Sequence, residues 1–398
     1  MNKSSRSVYF FIILLIYASG SIYFISFHYN TYIPLVFLLS FFYWILSGQS
    51  FLININKKQA NTFLALLLAL AIVLALNFFS GVSTTIAIML QVCVGFFISQ
   101  SIDRKIFMKV YVNVIILFSI ISIIGLGIQL IRPEVALLFP MTEGEATRNY
   151  YNAIIYVFQA IKGFQRLYIF NRNSGIFWEP GSYQAFLNLA LLFLISEETF
   201  GKDRKDMWKC FILIITILST FSVTGYIAMS FLFFLYFDRI KRVFNKYIIL
   251  TIILIVMGLI FVNFSNIKGI NMSFMIDRYA HSFGAERGVW ERLDVDDLKF
   301  LVQNPLNILG MSYGKYLSLV DGAANSIIST LLSMGIFFTT ILLWLYYKFS
   351  KTFSKWWGIM LVLIMFFVSE SLFWRPLFMT IAWYGIKEEK RIVSNLIS

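Results

Sequence analysis

Residues 108–131 read MKVYVNVIILFSIISIIGLGIQLI, an apolar run whose one charged residue, Lys109, stands near its start. An α-helix needs about 20 apolar residues to cross the hydrocarbon layer of a bilayer. Hydrophobic residues make up 59% of the chain and charged residues only 13%, unlike a soluble globular protein. The run therefore predicts a membrane helix, and comparable runs lie at 8–27, 32–47, 62–79, 82–98, 182–196, 209–222, 224–238, 247–264 and 324–347.

The last apolar stretch, 356–386, is long for one crossing. Glu370, Arg375 and Pro376 interrupt its middle. Proline removes a backbone donor and charges avoid hydrocarbon, so two short helices joined at the surface are predicted. Glu370 and Arg375 either pair with each other at this junction or contact a substrate. The total becomes about twelve helices in a single integral membrane domain, residues 1–398.

The distribution of charge orients these helices. The net charge is +13, and its basic excess lies in the termini and in short connections such as 239–246 and 348–355. The two long loops, 132–181 and 265–323, together carry eleven basic and eleven acidic residues. The positive-inside rule then predicts cytoplasmic termini and places both long loops outside. The basic pI is explained by this one-sided distribution of Lys and Arg, so it does not predict a nucleic acid partner.

The two long loops are the predicted location of function, because long connections in compact proteins are usually functional. Within the first loop, residues 151–165 mix apolar and polar side chains in a pattern that suggests a short helix. This helix either lies on the bilayer surface or packs on a core of the loop itself.

The first loop ends in the decapeptide RNSGIFWEPG, Arg172–Gly181. Pro180 fits the first turn of the next helix, and Glu179 just before it meets the positive end of that helix. One interpretation makes Glu179 a helix cap and Arg172 its surface salt partner. The other places an arginine and a carboxylate at the mouth of a cavity between helices.

The decapeptide resembles the first-loop signature of the O-antigen polymerase family, membrane enzymes that join lipid-linked sugar repeat units into polysaccharide. The residues that carry this resemblance are Arg172, Ser174, Gly175, Phe177, Trp178, Glu179, Pro180 and Gly181. The segment Phe221–Tyr226 is similar to a Ser-x-Thr-Gly turn of that family. A third segment is similar to its second-loop pattern, at Arg287, Trp290, Asn304, Pro305, Leu306, Gly310, Gly314, Asn325 and Gly335.

The resemblance implies an all-α polytopic membrane fold of about twelve helices with two large extracytoplasmic loops, similar to GT-C enzymes. It implies a multi-pass protein of the bacterial cytoplasmic (inner) membrane, active on the periplasmic side in lipopolysaccharide biosynthesis. Its implied partners are an undecaprenyl-diphosphate-linked oligosaccharide, membrane lipid and a polysaccharide chain-length regulator. No cofactor is expected.

The implied reaction is glycosyl transfer from a lipid diphosphate, whose departure must be stabilised by positive charge. Arginine pairs with phosphate oxygens two at a time, so Arg172 and Arg287 are the candidate catalytic cations and Glu179 the candidate base. Asp294, Asp296 and Asp297 are interpreted as a solvated helix start, and metal independence is predicted. The candidate substrate contacts are Arg292, Arg166, Arg278, His281, Trp290, Tyr313, Asn325 and Tyr183.

One position departs from the family pattern. Many relatives, and especially the related O-antigen ligases, carry a histidine directly before the asparagine that opens the span, where this chain has Ala324. His281 is an alternative base, although a lone loop histidine is more often a surface residue. Glu179 is preferred, because a carboxylate in a partly dry site can accept a proton near neutral pH.

Two other functions compete with polymerisation. An O-antigen ligase would transfer finished polymer to another acceptor, and the absence of histidine at Ala324 weighs against it. A transporter or flippase for lipid-linked oligosaccharide would show paired halves, broken helices and polar residues at mid-membrane. This chain instead concentrates its polar residues in the two outer loops.

Overall fold

The computed structural model describes most of the helical part of the chain. The described residues are 3–23, 29–47, 56–143, 148–161, 172–242, 244, 305–319 and 325–387. The predicted span 247–264 and most of the predicted loop 265–323 lie outside them.

The described residues are mostly helical. The longer helices described before the second predicted loop are α1 Lys3–Gly20, α2 Tyr29–Leu46, α3 Lys57–Leu76, α4 Val82–Ser101, α5 Arg104–Ile131, α6 Pro180–Ser196, α7 Arg204–Ser219 and α8 Val223–Leu235, and a 3₁₀ helix spans Pro133–Leu138. A short helix, α9 Phe237–Ile240, follows. The later elements are a 3₁₀ helix Pro305–Leu309, then α10 Tyr313–Leu319, α11 Ser326–Ser350, α12 Trp356–Ser369 and α13 Pro376–Tyr384.

Several of these helices have the composition of membrane helices. Among the described residues, α3, α4, α5 and α11 are long and apolar enough to cross a bilayer. Five shorter apolar helices accompany them, within α1, α2, α6, α8 and α12. The architecture is therefore that of a membrane-embedded helical protein.

The helix ends follow local chemistry. The Asn56 side chain accepts from the N–H of Lys58 at the start of α3, and the Asp103 side chain accepts from the N–H groups of Lys105 and Ile106 at the start of α5. Pro180 and Pro376 occupy first-turn positions of α6 and α13, where the missing N–H costs no hydrogen bond. The prediction of two short helices within 356–386 is thus confirmed, whereas most of the residues that join them, such as Leu372–Arg375, are buried and not at an exposed surface.

The core centres on α6. Every residue from Ser182 to Ile195 is buried, which is the state expected of a helix that is apolar on all sides. Helix α13 is buried in the same way and lies against α4. Gly95 permits that approach, because a Cβ there would overlap Met379 and the backbone nitrogen of Thr380.

Helix ends meet at two faces of the bundle. At the first face, Lys387 donates to three carbonyl oxygens at the end of α4, and Arg239 donates to three at the end of α6. Cations favour helix C-termini, so this face collects positive charge and is called the basic end below.

The opposite face is called the site end below. There Asn77, after α3, donates to the carbonyl of Gly310, 2.9 Å away. Ser21, after α1, forms an isolated antiparallel bridge with Phe177 of the decapeptide. Helix α9 lies at the basic end and the 3₁₀ helix Pro305–Leu309 at the site end, so the described residues that flank 247–264 are on opposite faces.

The first predicted loop contains a small antiparallel sheet. Strands β1 (Met141–Glu143), β2 (Arg148–Asn152) and β3 (Val157–Ile161) pair in that order. The prediction of a helix over 151–165 is wrong for its described part. The apolar spacing matched a helical period, but Ile154 has a φ of 63° and the chain reverses there into a hairpin. The all-α prediction is therefore corrected: the described residues also contain this three-stranded sheet.

The sheet packs on the helices through both of its faces. Val157 and Tyr150 contact Ile22 on one side. Tyr156, beside β3, lies against Gly125 of α5, where any Cβ would overlap its ring, and donates to Gln129 at 2.9 Å. The loop is thereby fixed to the site end of α1 and α5.

Helix α11 is interrupted at Gly335, which has φ 80° and ψ 166°. Gly310, with φ 99°, fits against this break, and a Cβ on either glycine would overlap the backbone of the other segment. The N–H of Met311 donates to the carbonyl of Leu332, 2.8 Å away. A segment from outside the helix thus satisfies a carbonyl that the break exposes. Two glycines of the second-loop pattern therefore have a packing role.

We predict that Gly335→Ala destabilises the protein by roughly 1–3 kcal/mol, because alanine is strained at positive φ and its methyl group would strike the Leu309 carbonyl. Thermal unfolding of the detergent-solubilised protein measures the effect. Gly127→Ala is the matched control, since a Cβ there meets no atom within 4 Å and alanine favours helix. Equal unfolding temperatures for the two variants would contradict the packing role.

Candidate active site

The decapeptide Arg172–Gly181 crosses the site end between the sheet and the first turn of α6. The N–H of Ile22 donates to the carbonyl of Ile176 at 3.3 Å, and the N–H of Val157 donates to that of Gly175 at 2.9 Å. Backbone hydrogen bonds therefore join the decapeptide to α1 on one side and to β3 on the other.

Asn173 organises the first half of the decapeptide and is fully buried. Its amide nitrogen donates to the hydroxyls of Ser122 and Ser219, each 3.0 Å away, and its oxygen accepts from the N–H of Gly175 at 3.0 Å. Gly175 has a φ of 57°, and a Cβ there would lie 3.0 Å from the Tyr183 ring. The Asn-Ser-Gly sequence thus meets both a hydrogen-bonding and a steric requirement.

Arg172 faces the turn between α7 and α8. Its side chain is 8% exposed, and its Nε donates to the carbonyl of Thr220 at 2.9 Å. The interpretation of Arg172 as a surface partner of Glu179 is wrong, because the side chain is buried. Thr220 directly precedes Phe221–Tyr226, so the first segment of the family resemblance contacts the residue next to the second segment.

Tyr183, a predicted substrate contact, lies in the core. It has no exposed surface, and its hydroxyl is 2.9 Å from that of Ser122. Its ring stacks on that of Phe177 with a centroid separation of 5.0 Å. Tyr183 therefore supports the decapeptide from the core side, by packing against Phe177.

In the second half of the decapeptide, the indole of Trp178 lies next to both an acidic and a cationic side chain. The Nε1 of Trp178 donates to Glu179 at 3.1 Å. The guanidinium carbon of Arg375 lies 6.0 Å from the Trp178 ring centroid and 4.7 Å from that of Trp374. The Nε of Arg375 also donates to the carbonyl of Ser371 at 3.1 Å, which fixes the orientation of the guanidinium.

Glu179 occupies the N-cap position of α6 and is half-buried. Its side chain makes no capping hydrogen bond and accepts from Trp178 instead. The carboxylate stays beside the positive end of the helix dipole while remaining partly accessible.

Glu370 provides a second carboxylate at the same helix start. It is 3% exposed, and Ser182 donates to its Oε2 at 2.6 Å. Its other carboxylate oxygen occupies the space that a Cβ on Gly181 would need. The Glu370 carbonyl accepts from Ser326, 2.8 Å away, at the start of α11. Glu370 therefore joins the first turns of α6 and α11 to the α12–α13 junction.

Tyr313, from the second predicted loop, reaches this group of residues. Its ring lies edge-on to Trp374 with a centroid separation of 5.5 Å. Burial raises the pKa of Tyr313, and the nearby charge of Arg375 opposes that shift. The two long loops predicted from sequence thus approach each other at the α12–α13 junction.

Asn325, another predicted substrate contact, is the N-cap of α11. Its side-chain oxygen accepts from the N–H groups of Ile327 and Ile328, at 3.1 and 3.2 Å. It is 2% exposed. The asparagine of the family pattern therefore has a helix-capping role in this chain.

These contacts define the site cluster as Trp178, Glu179, Ser182, Tyr313, Glu370, Trp374 and Arg375. The other predicted site residues lie outside the described residues, and they are Arg287, Arg292, Arg166, Arg278, His281 and Trp290. Within the described ranges, no group of three or more histidine, cysteine or acidic residues is placed to hold a metal ion.

Comparison of the chain with protein-family models, with curated proteins and with solved structures found no match. The description of the site cluster therefore rests on the geometry of this chain.

Sequence reasoning singled out Glu370 and Arg375 as interrupting charges but did not connect them to the decapeptide. The contact between Ser182 and Glu370 spans 188 positions of sequence, and no local pattern signals it. A signal was present in Gly181, since a glycine in the first turn of a helix costs stability unless a neighbour needs the space.

We predict that Gly181→Ala and Glu370→Ala are coupled. In the native background the added methyl group forces the carboxylate away from Ser182, at a cost of about 1–3 kcal/mol for a charge-assisted hydrogen bond. In the Glu370→Ala background the methyl group fits, so the same substitution costs less. A double-mutant cycle of thermal unfolding measures the coupling, and additive effects would contradict the contact.

Proposed function

We propose that the protein polymerises undecaprenyl-diphosphate-linked oligosaccharide repeat units into O-antigen or a similar surface polysaccharide. The observation that carries this proposal is the meeting of three sequence segments at the site end. Arg172 of the first segment contacts the turn that holds the second. Gly310 and Gly335 of the third pack together at the break in α11, and Tyr313 of the same loop reaches the site cluster.

The proposed topology places the site cluster on the outer face of the bacterial inner membrane. Twelve crossings, including the predicted span 247–264, leave both termini in the cytoplasm. The basic end then faces the cytoplasm, in line with the positive-inside rule. Lipid-linked donor and acceptor would both reach the site end through grooves between helices that open to the bilayer.

The proposed chemistry is a direct transfer. A hydroxyl oxygen of the acceptor unit attacks the anomeric carbon of the growing chain, and the bond from that carbon to the carrier diphosphate breaks. The diphosphate leaves with the bonding electrons and the hydroxyl proton passes to Glu179. Arg172 and Arg287 stabilise the developing negative charge, and guanidinium groups replace the divalent metal that many soluble glycosyltransferases use.

A transporter for lipid-linked oligosaccharide is the second candidate, and one observation favours it. Transporters place substrates at interrupted helices, and α11 is interrupted at Gly335. Here Gly310 and Met311 fill the interruption, and the charged groups lie at the site end instead. An O-antigen ligase remains the alternative within the same chemistry, with Ala324 as the argument against it.

We predict that the purified protein converts a synthetic lipid-linked repeat unit into a ladder of products, and that EDTA leaves the ladder unchanged. Gel separation of the labelled products measures both effects. A product with one added unit would favour ligation, and movement of substrate across liposomes without new products would favour transport. Loss of the ladder on chelation, restored by a divalent metal, would contradict the proposed role of the arginines.

We further predict that Arg172→Ala and Arg287→Ala abolish the ladder while the protein still inserts into the membrane. Arg132→Ala is the control, because Arg132 is an exposed cation at the end of α5 and has no proposed contact with substrate. Product lengths equal to those of the unsubstituted protein in either variant would remove that arginine from the mechanism.

A further inference from the structure

An exposed apolar stripe on α11 runs toward the basic end and stops at a positive charge. Its members recur at spacings of four, three and four residues, so they share one face of the helix, and they are Phe337, Ile341, Trp344 and Lys348. Phe337 is 60% exposed, and the other three are partly exposed. The break at Gly335 lies before this stretch, so the helix is regular here. The stripe therefore ends in an indole and an ammonium group.

A second lysine reaches the same indole from α3, which packs against α11. The Nζ of Lys58 lies 5.2 Å from the centroid of the Trp344 ring, and the Nζ of Lys348 lies 5.8 Å from it. A cation over the face of an aromatic ring is attracted by the ring. Ammonium groups from two different helices are thereby held beside one indole at the basic end.

A third lysine, Lys351, extends this positive surface. Its Nζ lies 4.8 Å from the ring centroid of Tyr347 and 5.6 Å from that of Trp356, and the two rings meet edge to face. Tryptophan and tyrosine are enriched where membrane proteins cross the boundary between bilayer and water. We name this group of side chains the lysine–aromatic patch, and its members are Lys58, Trp344, Tyr347, Lys348, Lys351 and Trp356.

The positive charge of the patch has no acidic residue close to it in sequence, since neither 56–79 nor 326–369 contains aspartate or glutamate. At the same end, Asp238 pairs with Lys241 at 2.6 Å and not with a lysine of the patch. The helix dipole accounts for Lys348, in the last turn of α11, but it disfavours Lys58, in the first turn of α3. The arrangement therefore suits an anion that comes from outside the chain.

The apolar stripe indicates which kind of anion fits. A free phosphate ion would contact the lysines and would gain nothing from the exposed apolar side chains that lead up to them. A phospholipid with a negative headgroup matches both features, because acyl chains pack on apolar side chains while the headgroup meets the cations. Basic sites between membrane helices bind such headgroups.

We propose that the lysine–aromatic patch binds the headgroup of an anionic phospholipid, such as phosphatidylglycerol, whose acyl chains lie along the stripe of Phe337 and Ile341. The patch lies at the basic end, opposite the site cluster. The inference therefore does not depend on the proposed function.

Native mass spectrometry of the detergent-solubilised full chain tests the proposal, with phosphatidylglycerol and phosphatidylcholine of identical acyl chains. We expect the unsubstituted protein to bind phosphatidylglycerol more tightly. Lys58→Gln is expected to weaken that binding about 5-fold, and Lys58→Gln combined with Lys348→Gln about 30-fold, the range for lysines at an anionic bilayer surface. Equal affinity of the unsubstituted protein for the two lipids, or unchanged affinity for phosphatidylglycerol in the double variant, would overturn the proposal.

The matched control is Lys202→Gln combined with Lys205→Gln. These two lysines are exposed at the basic end beside the start of α7, where Asp203 and Asp206 accompany them. The control removes the same charge from the same end and is expected to keep the affinity for phosphatidylglycerol. An equal loss in the control would show that net charge alone attracts the lipid, and the patch would then not be a site.

A charge-preserving variant covers the case in which the glutamine variants fail to insert. Lys58→Arg combined with Lys348→Arg keeps both cations and is expected to retain binding of phosphatidylglycerol, and loss of binding would refute the proposed recognition by charge. Competition with inorganic phosphate separates the lipid from a free ion. We expect excess phosphate to leave phosphatidylglycerol bound, and displacement of the lipid would assign the patch to a free anion instead.

Discussion

The 2.6 Å hydrogen bond from Ser182 to Glu370 determines how the last two helices meet the central one. An ionised carboxylate away from water is costly unless hydrogen-bond donors or positive charge surround it. The start of α6 supplies both, because Ser182 donates and the helix dipole is positive there. Gly181 leaves the space that the carboxylate needs. This contact joins the α12–α13 junction to the helix that follows the decapeptide.

Satisfaction of backbone groups explains the remaining features of the site end. A break in a membrane helix leaves carbonyl and N–H groups that hydrocarbon cannot solvate. The break at Gly335 is filled by Gly310 and Met311, and the turn after α7 is bound by Arg172 and Asn173. Segments that carry the family resemblance therefore complete the hydrogen bonds of the helices they lie against. Their polar and small residues have structural roles before any role in chemistry.

Local signals in the sequence predicted the helices well. Pro376, with the charges before it, correctly indicated two helices within 356–386, because helix termination is decided by neighbouring residues. The sheet was missed, because the apolar residues around Ile154 fit a helical period and the pairing of β2 with β3 depends on a reversal that periodicity does not encode. Strand pairing is set by tertiary contacts as much as by propensity.

The candidate site was predicted less completely, for a related reason. The decapeptide and Glu179 were recognised from their motif, whereas the contacts of Glu370 and Arg375 with it join residues far apart in sequence. Tyr183, two positions after the decapeptide, and Asn325, in the third segment, were also predicted to contact substrate, yet their side chains are engaged by Ser122 and by the start of α11. Burial and hydrogen bonding show these structural roles, and the sequence pattern alone does not.

Among the described residues of the site end, the buried arginines Arg172 and Arg375 differ in what they bind. Arg172 donates to a backbone carbonyl, so part of its binding capacity is used to hold the α7–α8 turn. Arg375 lies over the faces of Trp374 and Trp178, and its Nε donates to the carbonyl of Ser371. A diphosphate carries more than one negative charge, and a single guanidinium offers at most two parallel hydrogen bonds to it. Several cations around one anion are therefore the physically reasonable arrangement for the proposed substrate.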